Sequence, residues 1–470
     1  MPVQQYDFGM IGLGTMGRNL VLNMLDHGFS VAGYDQDPGK VTALEQEAGE
    51  KPVLGCTDLA AFSAALRRPR NILLLVPAGP IVDAVTEALR PLLDQSDLLV
   101  DCGNSHYTDT NRRIGLLEKE GLHFMGIGVS GGESGARLGP SIMPGGNPEA
   151  YARIAPLLEA VSAKVNGDPC VTWLGPGSAG NYVKMVHNGI EYALMQLLAE
   201  SYHLLKDAGG LSNEELNTVF RQWNQGPLQS FLVEITAEIF AQPDEFGPGQ
   251  LIDKIRGSAR QKGTGMWTSQ DALSLHAPIP AIDTAVAQRD LSALATQREA
   301  AQNLYGLPAT EAPGPSYGLV GQIEQALQAA TLLSYAQGMA LLSQASGAYR
   351  YDLDLSEVAR IWRGGCIIRA ALLEDIRSVY RERPDLPNFL LDTGIAQRLL
   401  AHEKGLRQTV QLAVQQGIPL PVHMACLSYF DSYRRSWLPA NLIQAQRDFF
   451  GAHSYERTDR EGVFHTRWGK

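Results

Sequence analysis

The stretch Asp7-Phe8-Gly9-Met10-Ile11-Gly12-Leu13-Gly14-Thr15-Met16-Gly17 decides the fold of this chain. Its apolar first half, Asp7–Gly12, has the length of a buried strand. Its second half is G-x-G-x-x-G, and Gly17–Asp26 continues as a helix. A glycine loop between strand and helix makes a tight turn. It also lets a pyrophosphate approach the backbone at a helix N-terminus, where free N–H groups and partial positive charge collect. Alone the motif is weak in a chain with 48 glycines. The strand before it and the helix after it supply the required context.

Outward from this loop the pattern repeats. Strand-like runs follow at Phe29–Tyr34, Asn71–Val76, Leu98–Cys102, Phe124–Val129 and Val171–Leu174, with helix-like segments such as Pro80–Leu93 between them. Such alternation predicts a parallel sheet covered by helices, a Rossmann-type α/β domain. Gly175-Pro176-Gly177 punctuates its end. From Ser178 the texture turns helical, beginning with Asn181–Ala208, a spine of roughly 40 Å if unbroken. The expected organisation is an α/β domain over 1–177, an all-α domain over 178–437 and a C-terminal tail over 438–470.

Within the helical part, Val219, Arg221, Trp223 and Gly226 match Val358, Arg360, Trp362 and Gly365 as V-x-R-x-W-x-x-G. Ser201-Tyr202 and Ser334-Tyr335 precede the two copies. This is either chance similarity between helices or an internal helical duplication. The tail is polar and aromatic, hard to pack as a helix, and either frayed or docked on something.

A length of 470 residues implies two or three domains. The net charge of −11 argues against a nucleic-acid partner and means that an anionic substrate needs a local basic pocket. Cys56, Cys102, Cys170, Cys366 and Cys426 are odd in number and widely spaced. They read as reduced thiols of a cytoplasmic protein, not as a disulfide frame or a metal site. No basic leader precedes the first strand and no run of 18 apolar residues exists, so neither a signal peptide nor a membrane span is expected.

Asp35 ends the second strand-like run, eighteen residues after Gly17. A carboxylate there accepts both ribose hydroxyls of NAD and repels the 2′-phosphate of NADP. Gln36 and Asp37 bring no cation; the counter-case is that one from elsewhere, such as Lys40 or Arg70, reaches the phosphate. The alternative is a polar turn over Asp35-Gln36-Asp37-Pro38.

Lys184-Met185-Val186-His187-Asn188-Gly189-Ile190-Glu191-Tyr192 carries the strongest chemistry. At about 100° per residue, Lys184, His187, Asn188 and Glu191 fall within one sector of a helix, with Lys184 and Glu191 roughly 10 Å apart. A six-carbon chain fits between them. The alternative is a solvated face with a weak charge pair. Val129-Ser130-Gly131-Gly132 can hold a carboxylate, and Gln261-Lys262-Gly263-Thr264-Gly265 a phosphate, although each is weak alone and flexible loops are common.

Taken with Asp101-Cys102-Gly103-Asn104-Ser105 and the tail string Pro439–Asp448, these motifs resemble the 6-phosphogluconate dehydrogenase family along the whole chain. The resemblance implies a homodimer whose tails thread into the partner. It also implies oxidative decarboxylation of 6-phosphogluconate to ribulose 5-phosphate with NAD or NADP and no metal. Lys184 is then the general base and Glu191 the general acid, with His187 and Asn188 beside them. Gly12, Leu13, Gly14, Thr15, Met16, Gly17, Asp35, Gln36, Val76 and Asn104 hold the cofactor. Asn104, Ser130, Gly131, Gly132, His187 and Asn188 hold the sugar acid. Tyr192, Lys262, Thr264 and Arg289 surround its phosphate, with Arg447 and His453 from the other subunit. Many members carry Asn-Arg-Thr where this chain has Asp35-Gln36-Asp37, which points to NAD. The competing expectation is a β-hydroxyacid dehydrogenase of the 3-hydroxyisobutyrate type. Those enzymes are shorter and lack the phosphate residues.

Overall fold

The computed structural model describes residues 5–308 and 317–469, so the outermost ends of the first and last expected segments lie outside the described residues. Seven strands form the first sheet: β1 (Phe8–Ile11), β2 (Val31–Tyr34), β3 (Val53–Cys56), β4 (Asn71–Leu74), β5 (Leu98–Asp101), β6 (His123–Val129) and β7 (Ile142–Gly145). Their order is β3-β2-β1-β4-β5-β6-β7, parallel except for β7, which runs antiparallel to β6. The order reverses at β1, between β2 and β4. That is the switch point where doubly wound sheets open a crevice for ligands.

This topology sorts the expected site residues. Asp35 follows β2, Gly12 follows β1, Val76 lies just beyond β4, Asn104 beyond β5 and Ser130 beyond β6. All five lie at the carboxyl edge of one sheet, in the spatial order of its strands.

Two expectations need correction. Val171–Leu174 is not a strand; Val171 makes only an isolated bridge to Ile142. The last strand is instead Ile142–Gly145, whose Pro-Gly end disguises it and suits an edge position. The tail also contains a helix, Ala440–Gly451, followed by a hairpin of Tyr455–Glu456 and Val463–Phe464.

In the helical part, Ala179–Asp207 is the spine and Tyr317–Tyr349 packs against it. The repeated motif ends two equivalent helices, Asn213–Trp223 and Leu355–Trp362, each followed by a turn and another helix, Phe231–Ala241 and Leu372–Glu382. Trp223 and Trp362 are both buried. Ser201 and Ser334 each donate to the carbonyl four residues back. The two turns pair with each other: Phe231 donates to the Arg369 carbonyl and Ala371 to the Gln229 carbonyl. Equivalent local structure and mutual pairing fit a duplicated helical unit.

The spine meets the sheet backbone to backbone. A Cβ on Gly126 would lie 1.8 Å from Asn181 Oδ1, and one on Gly145 2.4 Å from the Gly180 nitrogen. On Gly128 it would strike the Lys184 stem at 2.4 Å. Glycines in β6 and β7 thus let the helix seat Lys184 directly against a strand. Among the described residues, no helix is long and apolar enough to cross a membrane.

Candidate active site

The glycine loop has the shape its sequence predicts. Gly12 holds φ at +96°, and a Cβ on Gly17 would lie 1.9 Å from the Gly12 carbonyl oxygen, so both positions require glycine. Beside Gly14 there is open space, and the helix Thr15–Asp26 has no side-chain cap. Its first N–H groups are therefore available to an anion, and a dinucleotide fits. Val76 packs close to Gly12, and Gly103 lies near the Val76 carbonyl. Asp101 is fully buried and accepts from Ser105 Oγ at 2.6 Å and Gly103 N at 2.9 Å. That pinned loop displays Asn104 at the surface.

Asp35 accepts from the Leu13 N–H at 2.9 Å and the Asp37 N–H at 3.0 Å. Lys40 Nζ also sits 3.3 Å from the carboxylate. Partial burial pushes the Asp35 pKa up, but the two N–H donors and Lys40 outweigh it and hold the group below its usual value. Of the two cations that could reach a 2′-phosphate, Lys40 stands here, on the first turn of the following helix. Arg70 is committed elsewhere, buried against Asp97 at 2.6 Å.

Lys184, His187 and Asn188 are buried, which excludes a solvated helix face. Lys184 Nζ donates to Ser130 Oγ at 3.0 Å and lies 3.5 Å from His187 Nδ1. His187 Nδ1 is 3.1 Å from Asn188 Oδ1 and 3.9 Å from Glu191 Oε2, while its Nε2 faces Ser130 Oγ at 3.4 Å. A neutral ring with its proton on Nδ1 satisfies all of these: it donates to Asn188 and accepts from the Ser130 hydroxyl. Burial drives the Lys184 pKa down, only partly opposed by Glu191. Burial drives the Glu191 pKa up, opposed by Lys184 and Arg289. Burial, with the Lys184 charge, holds His187 far below its usual value and therefore neutral. The site thus shifts the amine toward its neutral form and the carboxyl toward its protonated form.

Asn104, Ser105, Lys184, Asn188, Thr264 and Trp267 line one small cleft between the sheet edge and the helices. Behind it, the Arg289 guanidinium stacks on Tyr192, 3.6 Å from the ring centroid. A Cβ on Gly265 would lie 2.6 Å from that ring, so glycine lets the helix Thr264–Ser274 reach it. Lys262 is exposed just ahead of that helix. Lys262 and Arg289 give the local positive charge that an acidic protein needs for an anionic ligand.

Arg447 and His453 are not brought to this cleft. Both are exposed on the tail. Asp448 anchors the tail to itself, accepting from Ser454 N, Thr466 N and Trp468 Nε1. Among the described residues, none from Ala440 onward hydrogen-bonds or ion-pairs outside the tail and its Pro439 cap.

The sequence reading missed the second repeat's part in the site. Trp362 packs edge-on against His187, at 5.6 Å between centroids. The Gly365 carbonyl lies where a Cβ on Gly131 would be, at 2.5 Å, and Gly131 holds φ at +105°. The copy of the motif that differs in surroundings, not in sequence, is the functional one.

A dinucleotide crevice opening on a buried lysine and a half-buried carboxyl defines a nicotinamide-dependent dehydrogenase. Family profiles agree along almost the whole length: the NAD binding domain of 6-phosphogluconate dehydrogenase matches residues 7–175 and the C-terminal domain of the same enzyme matches 180–468. The chain belongs to the 6-phosphogluconate dehydrogenase family. It is 49% identical over 469 residues to the NADP(+)-dependent, decarboxylating 6-phosphogluconate dehydrogenase of Bacillus subtilis, covering 100% of both chains. It is 50% identical over 472 residues to the decarboxylating enzyme of Synechococcus elongatus, again covering 100% of both. Among solved structures, the Plasmodium falciparum 6-phosphogluconate dehydrogenase, described in apo form and with NADP+ or 6-phosphogluconate, is 40% identical with a TM-score of 0.95. That match covers 98% of this chain and 100% of the other.

Proposed function

We propose that this protein oxidatively decarboxylates 6-phospho-D-gluconate to D-ribulose 5-phosphate and CO2 with a nicotinamide cofactor. The observation that carries this reading is the buried Lys184–Glu191 pair, with the amine pKa lowered and the carboxyl pKa raised. Gly12–Gly17, Asp35, Gln36, Val76 and Asn104 would hold the cofactor, which supplies the hydride acceptor when bound. Lys184 Nζ takes the proton of the C3 hydroxyl as C3 is oxidised. The resulting ammonium polarises the C3 ketone, so the β-keto acid loses CO2 as the ketone oxygen takes the proton back. Glu191 then delivers its proton to the carbon that lost CO2, and the remaining enediol proton returns to Lys184. Ser130, His187 and Asn188 orient the amine and the carboxylate end; Tyr192, Lys262, Thr264 and Arg289 hold the phosphate. Turnover measured on phosphorylated and unphosphorylated sugar acids tests this, and equal rates on both would favour a β-hydroxyacid dehydrogenase.

Glu191→Gln keeps the side-chain shape but has no proton to give. We expect kcat to fall by about 10²-fold or more, with KM little changed, in the range of lost acid catalysis. The alkaline limb of the kcat profile, set in the parent by loss of the Glu191 proton as pH rises, disappears. Full kcat with an unaltered profile contradicts the acid role.

The cofactor is NAD in preference to NADP. Asp35, fixed by two N–H groups, presents acceptor oxygens to a ribose diol and a negative charge to a 2′-phosphate. Among the described residues, Lys40 is the cation paired with Asp35, and serving a phosphate would cost it that pairing. The expected kcat/KM ratio favours NAD by at least about tenfold, corresponding to ~1.4 kcal/mol. Asp35→Asn with Gln36→Arg should move it toward NADP. A parent that prefers NADP means Lys40 prevails.

The same reading divides the chain at 177/178 and 437/438. It makes the protein a cytoplasmic homodimer, with Arg447 and His453 completing the partner's phosphate site. The self-contained tail supports this: Leu442, Ile443, Phe449 and Phe450 are all at least 60% exposed, a face whose ring contacts among the described residues stay within the tail.

A further inference from the structure

A second cluster lies beside the cleft, and the chemistry above does not use it. Asp271, buried on the helix that begins with Thr264, receives three phenols. Tyr107 donates to Oδ1 at 2.5 Å, Tyr349 to Oδ1 at 2.7 Å and Tyr182 to Oδ2 at 2.5 Å. The rings of Tyr107, Tyr182 and Tyr349 pack together with centroids 5.2 to 5.6 Å apart. Three donors on one carboxylate demand its ionised, acceptor-only form. Burial and the Asp271 charge raise the Tyr107 and Tyr182 pKa values, so the phenols stay protonated.

What distinguishes the cluster is where its members come from. Tyr107 opens the helix that follows Asn104 and belongs to the α/β part, yet it packs into the helical core. Tyr182 lies on the spine two residues before Lys184, and Tyr349 ends the second long helix. Among the described residues, the other polar links from the Tyr107 helix to the helical part go to the spine and to Tyr351: Thr110 to Asn181, and Asn111 to the Ser178 N–H and the Tyr351 hydroxyl. Tyr107–Asp271 reaches the Thr264 helix, joined by the edge-on contact of His106 with Trp267. It therefore ties the loop that displays Asn104, on the cofactor side, to the helix that presents Thr264, on the phosphate side.

We infer that Asp271 is a positioning residue whose bond to Tyr107 couples cofactor binding to substrate binding. The inference rests on the functional reading above. Each ligand fixes one side of the cleft, and the phenol–carboxylate bond transmits that placement to the other, so each ligand alters the affinity of the other by the same factor.

Tyr107→Phe and Tyr349→Phe each remove one hydroxyl from the same carboxylate oxygen; the first cuts the Asp271 bond to the α/β part, the second only the longer 3.4 Å contact of Tyr349 with the Tyr107 hydroxyl. The measurement is the Kd of NADH, by its fluorescence, with and without saturating 6-phosphogluconate, on variants whose melting curves match the parent. The parent should show a substrate-dependent Kd. Tyr107→Phe should reduce that dependence at least about fivefold, and Tyr349→Phe should stay within about twofold of the parent. Asp271→Asn, whose amide cannot accept all three phenols, should follow Tyr107→Phe. Equal losses in the two phenylalanine variants would reduce the cluster to packing. Undiminished coupling in Tyr107→Phe, or independent ligand binding in the parent, also overturns the inference. Absence of 6-phosphogluconate turnover in the parent is a separate result that removes the underlying functional reading.

Discussion

Lys184→Met should lose oxidation of 6-phosphogluconate by at least about 10³-fold while the protein still folds and binds the dinucleotide. Proton transfer by a positioned base contributes about 10²–10⁴-fold, and here the same amine also polarises the ketone. His187 does not substitute as the base, because burial lowers its basicity and its Nε2 is engaged with Ser130. Methionine fills the channel along Gly128 without an ammonium to desolvate. Burying a charge is costly, so the variant's Tm should equal or exceed the parent's. Near-native turnover in a folded variant would sink the base assignment, and a collapsed Tm would mean that the Lys184–Ser130 bond holds the joint together.

Truncation before Leu438 should abolish phosphate-dependent recognition. Two partners, Arg447 and His453, each giving an ionised phosphate a charge-assisted bond of about 1.5–3 kcal/mol, account for roughly 10²–10⁴-fold in KM. The loss should be specific: binding of unphosphorylated gluconate should hardly change. Sedimentation should show the dimer weakened, since the exposed apolar face of the tail helix goes with it. A fully active monomer after truncation would refute the threaded tail.

How far the sequence could be read depended on the range of the interactions. Gly12–Gly17 was legible because the strand, the turn and the helix are contiguous. The sector of Lys184, His187, Asn188 and Glu191 was legible because helical periodicity places them without reference to the rest of the chain. Ile142–Gly145 was not, because an antiparallel edge strand ending in Pro-Gly looks like a loop. Val171–Leu174 misled because a buried apolar run need not find a ladder partner. The tail helix was missed because its apolar residues, although they share one face, meet no core among the described residues, and the polar and aromatic residues around them read as a segment hard to pack. Asp271 and Trp362 were invisible as site neighbours: their partners lie 78 or more residues away, and no local spacing encodes that.

The glycine-to-backbone seam between the sheet and the spine bears on how the cleft can open. Hinged domains turn about a few linker residues, and sheared ones slide on a cushion of side chains. Here Gly126, Gly145 and Gly180 leave no such cushion, and Ser141 is bonded across the seam both through its N–H, to the Gly365 carbonyl, and through its Oγ, to the Ile361 carbonyl. Rotation about Gly175–Gly177 would part main chains that nothing else could fill or pair. The 175–177 turn is consequently a fixed corner and not a pivot.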